Sequence, residues 1–473
     1  MQRIAWLAGA ACVLGGVSAA GAQSAPYLGA QGSGASSAEV TSGNQFNPKI
    51  SVILEGNYYQ DDADGEGSAL PGMAEGIYHA HGGGDHGHAH GGHAHGGDEP
   101  GFNLKPTELF FSATVDPYFD AFVQAVITDG GGISLEEAYF TSRNLPAGLR
   151  LKGGKFLSGI GYHNEKHRHQ WQFIEQNLPY QHLLGGHGLM DTGVQLTWTP
   201  ATPFYTRLGV EALQGDQEKV GMFAGEEAIH GLEEDCSTSI EDPGTNDAQL
   251  VTDCAIAEGE LDGFKDPDDG PRLFTAFAKV APNLGYSHEL QAGLFGVYAT
   301  DHQEIHGGLA NDPPVHVLSG ESWVAGTDWV YAYDAPHQYG KGDLKLQAEY
   351  LYARKDLDVA YHATKPGAVG GKRDFSEDGF YVQGRYGFAA NWRVGARYDM
   401  VGLTNKKETP TSTTHWDSSE RVSANLTWTP SHFTRLSAQW SQANIATADG
   451  DETANQYYLR YILSMGQHGA HDF

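Results

Sequence analysis

Arg421–Pro430 reads RVSANLTWTP. Val422, Ala424, Leu426 and Trp428 fall on one side of an extended chain. Ser423, Asn425, Thr427 and Thr429 fall on the other. Successive side chains of a strand point to opposite faces, whereas a helix repeats every 3.6 residues. The stretch therefore reads as a strand with one apolar and one polar face. Its neighbours repeat the pattern. Trp392, Val394, Ala396, Tyr398 and Met400 alternate with Arg393, Gly395, Arg397 and Asp399, and Phe380, Val382, Gly384, Tyr386 and Phe388 with Tyr381, Gln383, Arg385 and Gly387.

Carried along the chain, this period predicts 16 strands, at 49–60, 105–117, 119–129, 134–144, 148–161, 191–200, 204–215, 272–281, 287–300, 321–334, 342–356, 378–388, 391–404, 420–430, 433–445 and 455–466. The connections alternate in length. Tight ones fall at Pro117-Tyr118, Leu145–Ala147, Pro200–Pro203, Ala389-Ala390 and Pro430–His432. Long ones fall at 61–104, 162–190, 216–271, 301–320, 357–377 and 405–419, with a moderate one at 446–454 and a short exception at Gly130–Gly132. Long loops on one rim and short turns on the other are the plan of an outer-membrane barrel. The expected fold is thus all-β: a closed antiparallel transmembrane β-barrel of about 16 strands, with extracellular loops, periplasmic turns and a lumen wide enough for water. Leu196–Pro200 and Leu426–Pro430 share the sequence LTWTP, which sets a Trp of each at an expected aromatic girdle.

Composition agrees. The 473 residues carry a formal charge of −30 and a mean hydropathy of −0.42. Beyond the N-terminus no 18 consecutive apolar residues occur, which excludes a helical membrane protein. So acidic a chain lacks the basic surface that phosphate requires, so nucleic acid is not an expected partner. Outer-membrane lipid and cations are. Arg3, the apolar run to Val17 and Ala20–Ala22 make residues 1–22 an expected signal peptide. Residues 23–48 form a Gly/Ser/Ala-rich segment expected to be flexible, and 49–473 the barrel. After the signal two cysteines remain, Cys236 and Cys254, and an even count in an exported chain predicts one disulfide.

The chemistry-bearing residues concentrate in the long connections. Residues 78–99 read YHAHGGGDHGHAHGGHAHGGDE. Three groups stand at i, i+2: His79 with His81, then His86 with His88 and His90, then His93 with His95. In an extended chain that spacing directs imidazoles to one side. Neutral imidazole suits zinc, copper and nickel. The glycines make ordering costly in entropy, which favours a fast collector over a closed structural site. An inert surface loop and a protonation switch remain alternatives.

His163, His167 and His169 make a second candidate cluster, near His182, His187 and Asp191, in a loop able to fold inward as a constriction. Residues 216–270 carry 17 Asp/Glu against two Lys, which should concentrate cations at the mouth. Strand parity sets Arg385, Arg393, Arg397, Arg435 and Arg460 on the inner face of late strands, and Glu55, Glu108, Glu211 and Glu289 on that of early ones. Two readings stay open: walls of opposite sign that select ions, or salt-bridge filling of the interior. No Ser/His/Asp constellation of the kind nucleophilic catalysis needs stands out, so an enzyme is not expected. No resident cofactor is required; zinc or another divalent transition metal is the expected bound or carried ion.

SLEEAYFTSRNLPAGLRLKGGKFLSGIG (134–161) resembles a hairpin of the 16-stranded phosphate/polyphosphate-type porin superfamily. FNPKISVILEGNYYQ (46–60) and GYHNEKHRHQWQF (161–173) resemble barrels labelled zinc-regulated or TonB-dependent outer-membrane receptors. The resemblance implies a channel or receptor of the outer membrane, a homotrimer, and a link to the TonB system. Only 26 residues, 23–48, separate the signal from the first strand, too few for a plug domain. The expected function is a porin-like transport protein that assists uptake of zinc or a similar ion captured by the His-rich loop. The alternative is a metal-binding receptor whose barrel is only an anchor.

Overall fold

The computed structural model describes residues 47–63, 67–77, 97–217, 219–223, 270–306, 316–362, 366–447 and 450–466. The expected signal segment lies outside the described residues, as do Cys236 and Cys254. The expected metal ligands His79, His81, His86, His88, His90, His93 and His95 lie outside them too.

The strands are β1 (Lys49–Asp61), β2 (Gly101–Leu104), β3 (Thr107–Thr114), β4 (Phe119–Ile127), β5 (Ile133–Ser142), β6 (Leu149–Leu157), β7 (Met190–Trp198), β8 (Tyr205–Leu213) and β9 (Leu273–Ala281). They continue with β10 (His288–His306), β11 (His316–Tyr333), β12 (Leu344–His362), β13 (Lys372–Ala389), β14 (Trp392–Glu408), β15 (Thr413–His415), β16 (Ser419–Ser431), β17 (Thr434–Thr447) and β18 (Gly450–Gly466). Among the described residues the only α-helix is α1 (Leu178–Leu183). Both β2 and β3 pair with β1, and both β15 and β16 with β14. Each short strand therefore continues one stave, and the 18 strands make 16 staves. All neighbours are antiparallel, and β1 closes on β18 from Ser51↔Gly466 to Asp61↔Gln456.

All 16 predicted strands are present. Their outer face is a belt of exposed apolar side chains, including Val194, Leu294, Trp329, Val382, Leu426 and Leu459. That belt on a closed sheet is the architecture of a transmembrane barrel, which leaves no sheet edge unpaired. The repeated tryptophans sit on it at the turn end. Trp428 stacks on Trp392 at 5.7 Å, and Trp198 donates to the Ala147 carbonyl at 3.0 Å.

The boundaries differ from expectation in three ways. β10 to β14 run well past their predicted ends, because hairpin pairing continues where the outward face turns charged, as at Asp358 and Asp374. The moderate loop at 446–454 is a tight connection instead: β17 reaches Thr447, β18 begins at Gly450, and the two residues pair. The loop expected over 162–190 begins earlier, after Leu157, and contains α1.

The interior is not a simple polar pore. Inward-facing Phe295, Val297, Leu351 and Leu357 join Ile160, Tyr180, Leu183 and Leu189 of the 158–189 loop in one buried cluster. The apolar core of this protein lies inside the lumen, between wall and loop.

Candidate functional site

Residues 158–189 cross the lumen from wall to wall. Irregular backbone at membrane depth needs partners for its N–H and C=O groups, and the inner wall supplies them by charge. Carboxylates take the N–H groups. Glu137 accepts from Leu157 at 2.7 Å, and Glu211 from Gly159 at 2.9 Å. Glu349 accepts from Tyr162 at 3.1 Å and from His163 at 2.7 Å, and Asp399 from Leu178 at 3.1 Å. Arginines take the carbonyls. Arg397 donates to Glu175 at 3.0 Å and Arg460 to Trp171 at 3.4 Å, while Arg421 donates to Gln176 and Arg435 to His169. The donors and acceptors come from nearly every sector of the barrel, so the loop is fixed on all sides.

Side chains of the loop are used in the same way. Glu175 lies 3.5 Å from Arg397 and 3.8 Å from Arg421, and it accepts from Ser423 at 3.2 Å. Burial would raise its pKa, but the two arginines outweigh burial and hold it below the usual carboxylate range. Glu165 bridges Lys279 at 2.6 Å and Arg207 at 2.9 Å. Asn177 caps α1 by accepting from the Tyr180 N–H at 3.0 Å. His182 meets Glu377 at 3.0 Å.

The three candidate metal histidines of this loop do not converge. His163 packs beside Trp171, Tyr180 and Tyr381, at 5.1, 4.9 and 6.0 Å between ring centres. Burial, with Arg397 and Lys166 nearby, pushes its pKa down to about 3, so it is neutral. His167 lies 2.9 Å from Glu137, and His169 2.9 Å from Glu108. Their rings stack at 5.9 Å, but each is drawn to its own wall carboxylate. Among the described residues no group of three His, Cys, Asp or Glu is placed to hold a metal. The cluster expected as a metal centre is a set of plug-to-wall contacts. The other expected ligand set, His79, His81, His86, His88, His90, His93 and His95, falls outside the described residues, so no geometry is assigned to it.

A β-bulge produces the His167 contact. Register slips between Gln124↔Glu137 and Ala125↔Leu135, leaving Glu136 the extra residue on β5. Bulges re-aim side chains: Glu136 accepts from Gln124 at 2.7 Å while Glu137 faces the loop. In the adjacent β6, Gly154 has φ of +130°, and a Cβ there would overlap the Ala138 carbonyl oxygen. Paired glutamates followed by Gly-Gly-Lys-Phe are thus the local code for seating the loop on β5 and β6.

Several of the charges named from parity meet partners inside the barrel. Glu55 lies 3.6 Å from Arg460 and 3.4 Å from Arg168, and Glu211 accepts from Ser158 at 2.5 Å. Arg393 donates to Thr429 at 3.0 Å, and Arg385 is in register with Lys345, whose Nζ donates to Tyr162. Toward the turns the inner wall is mostly basic, with Arg150, Lys152, Arg207, Lys345, Arg385 and Arg393 against Asp120 and Glu289. Arg421, Glu349 and Glu377 escaped sequence reading, although Arg421 shares the parity of Ser423; Asp399 was set on a polar face but given no role.

At the mouth residues 67–77 fold over the loop. Glu377 accepts from Ile77 N–H at 2.7 Å, and Lys355 donates to the Ile77 carbonyl. Leu70 and Ala74 pack with Leu178, Val401 and Ile445. On the far side of the histidine run, Asp98 accepts from Asn57 at 2.6 Å, and Ser68 donates to the Asp98 carbonyl at 2.6 Å.

Over 435 residues the chain is 30% identical to an uncharacterized protein of Aquifex aeolicus (strain VF5), covering 90% of this chain and 80% of that one. This chain belongs to the same family as that protein. No family profile matches it. Among solved structures it is similar in outline to the outer membrane channel DcaP of Acinetobacter baumannii, with a TM-score of 0.49, 13% identity, and 89% and 97% of the two chains covered. It is also similar to an OmpT loop-deletion mutant of Vibrio cholerae, with a TM-score of 0.47, 11% identity, and 89% and 99% covered. An anion-selective porin from Comamonas acidovorans gives a TM-score of 0.46 at 8% identity, with 89% and 99% covered.

Proposed function

We propose that this protein is an outer-membrane barrel that assists uptake of a divalent transition metal, zinc foremost, which its histidine run collects at the extracellular mouth. The observation that carries this reading is the fastening of both stems of that run. Ile77 and Asp98 are each tied to the barrel at the mouth, directly above the loop that crosses the lumen. The chain between those two stems carries seven histidines, His79, His81, His86, His88, His90, His93 and His95, as the proposed ligands. The resemblance to zinc-regulated receptors supports the same solute, and the porin resemblance supports assembly as a homotrimer. A link to TonB belongs to that resemblance.

A second reading has an observation of its own. The lumen is packed, and the wall on the turn side is mostly basic, which repels a free dication. Both favour a metal-binding receptor whose barrel is an anchor.

The test is conductance in planar bilayers together with zinc uptake under chelation. Full-length protein is expected to give small conductance steps, and deletion of residues 79–95 to abolish uptake at scarce zinc without altering those steps. A silent barrel with intact zinc binding supports the anchor; uptake unaffected by the deletion overturns metal capture.

A further inference from the structure

Three histidines fall in one row across three neighbouring strands. His306 of β10 is in register with His316 of β11, and His316 with His362 of β12. On β11 alternation sets His316 on the face of Leu318, Ser322 and Val324, which lower down lines the lumen. Leu318 in turn stands opposite Glu304. The row is also far from the lipid. Seven residues separate His316 from the outward Trp323, or roughly 20 Å at the rise of a strand. It therefore stands on the inner wall of the vestibule, above the membrane.

The rings of His316 and His362 lie 5.5 Å apart at 22° to each other. Residues directly opposite on antiparallel strands hold their Cβ atoms about 5 Å apart, so a turn of either ring about χ2 brings one nitrogen of each to the ~2 Å that zinc requires. Both rings are half-buried, so an ion from the vestibule can reach them. Two imidazoles on rigid strands differ from a glycine-rich run in needing no ordering of backbone, and water completes the coordination.

We propose that the His316–His362 pair is a binding site for one divalent transition-metal ion, with both imidazoles as donors. The inference goes beyond the capture role proposed above, because it uses other residues and stands or falls separately.

The test is zinc chloride titration of the purified barrel in detergent by calorimetry, in the full chain and in a variant lacking residues 79–95. The shortened protein is expected to keep about one zinc per chain, weakened by roughly tenfold or more in H316Q and in H362Q. H415Q, on the exposed rim strand β15, is expected to bind as the parent does. Heat-modifiable gel mobility checks that each variant is folded. No zinc bound by the shortened protein overturns the pair and leaves metal capture by the run intact. Unchanged binding in H316Q and H362Q, or equal weakening in H415Q, also overturns it. Loss of uptake is read separately and bears only on the run.

Discussion

His167 Nε2 lies 2.9 Å from Glu137 Oε2, which ties the loop crossing the lumen to the bulge in β5. Burial acts against a charged His167, but Glu137 above all, with Glu108 and Glu136, outweighs burial and raises its pKa. A raised folded-state pKa gives stability that is full below the unfolded value of about 6.5 and is lost as pH rises through the folded value. Raising pH from 6 to 9 is therefore expected to loosen the loop, seen as faster proteolysis within 158–189. H167N is expected to remove this pH dependence. Equal pH dependence in the variant excludes His167 as its source.

Arg421 is held between Asp399, at 3.1 Å, and Glu175, and donates to the Gln176 carbonyl. Removing one partner from a buried charge network leaves its counter-charges unpaired and costs roughly 3–5 kcal/mol. R421A is expected to lower the temperature at which the folded gel band is lost. A variant that migrates and melts as the parent would show that water compensates Asp399 and Glu175.

Glu349 is the largest single hub of the loop. It accepts from Tyr162 and His163 N–H, from Tyr180 Oη at 2.7 Å and from Tyr381 Oη at 2.5 Å. E349A removes the acceptor of two backbone groups and two hydroxyls, each of which then costs about 1–3 kcal/mol if left unsatisfied. The expected outcome is a higher and noisier conductance in planar bilayers with the barrel still inserted. Conductance equal to the parent's means that the loop holds its place without this hub.

Gly154 needs its left-handed backbone and its missing Cβ. G154A is expected to cost more than about 1 kcal/mol and to weaken pairing at Tyr139↔Gly154. Hydrogen exchange in β5 and β6 reads this directly; unchanged protection there counts against the account of the Gly-Gly-Lys-Phe segment.

The wall was legible in the sequence because a transmembrane strand must alternate, and a period of two survives without knowledge of any neighbour. Val422 and Ser423 declare their faces unaided. The strand ends were less legible: above the membrane the outward face no longer has to be apolar, so Asp358 and Asp374 read as loop while their backbones stay paired. The site was hardest. Parity places Arg435 and Arg460 inside, but not what they hold, since those partners lie 266 and 289 residues away. Histidine spacing suggested a metal centre at 163–169, whereas the deciding factors were the wall carboxylates opposite His167 and His169 and the aromatic rings around His163.

The loop over 158–189 also constrains assembly. It is synthesised before the strands that carry most of its bonding partners, Glu349, Asp399, Arg421, Arg435 and Arg460 among them. Contacts of such sequence separation form late. The nascent sheet must keep its own stopper waiting, most of its partners still missing, until the last third of the polypeptide arrives. The strands that close the β1–β18 seam are thus among those that seat the stopper.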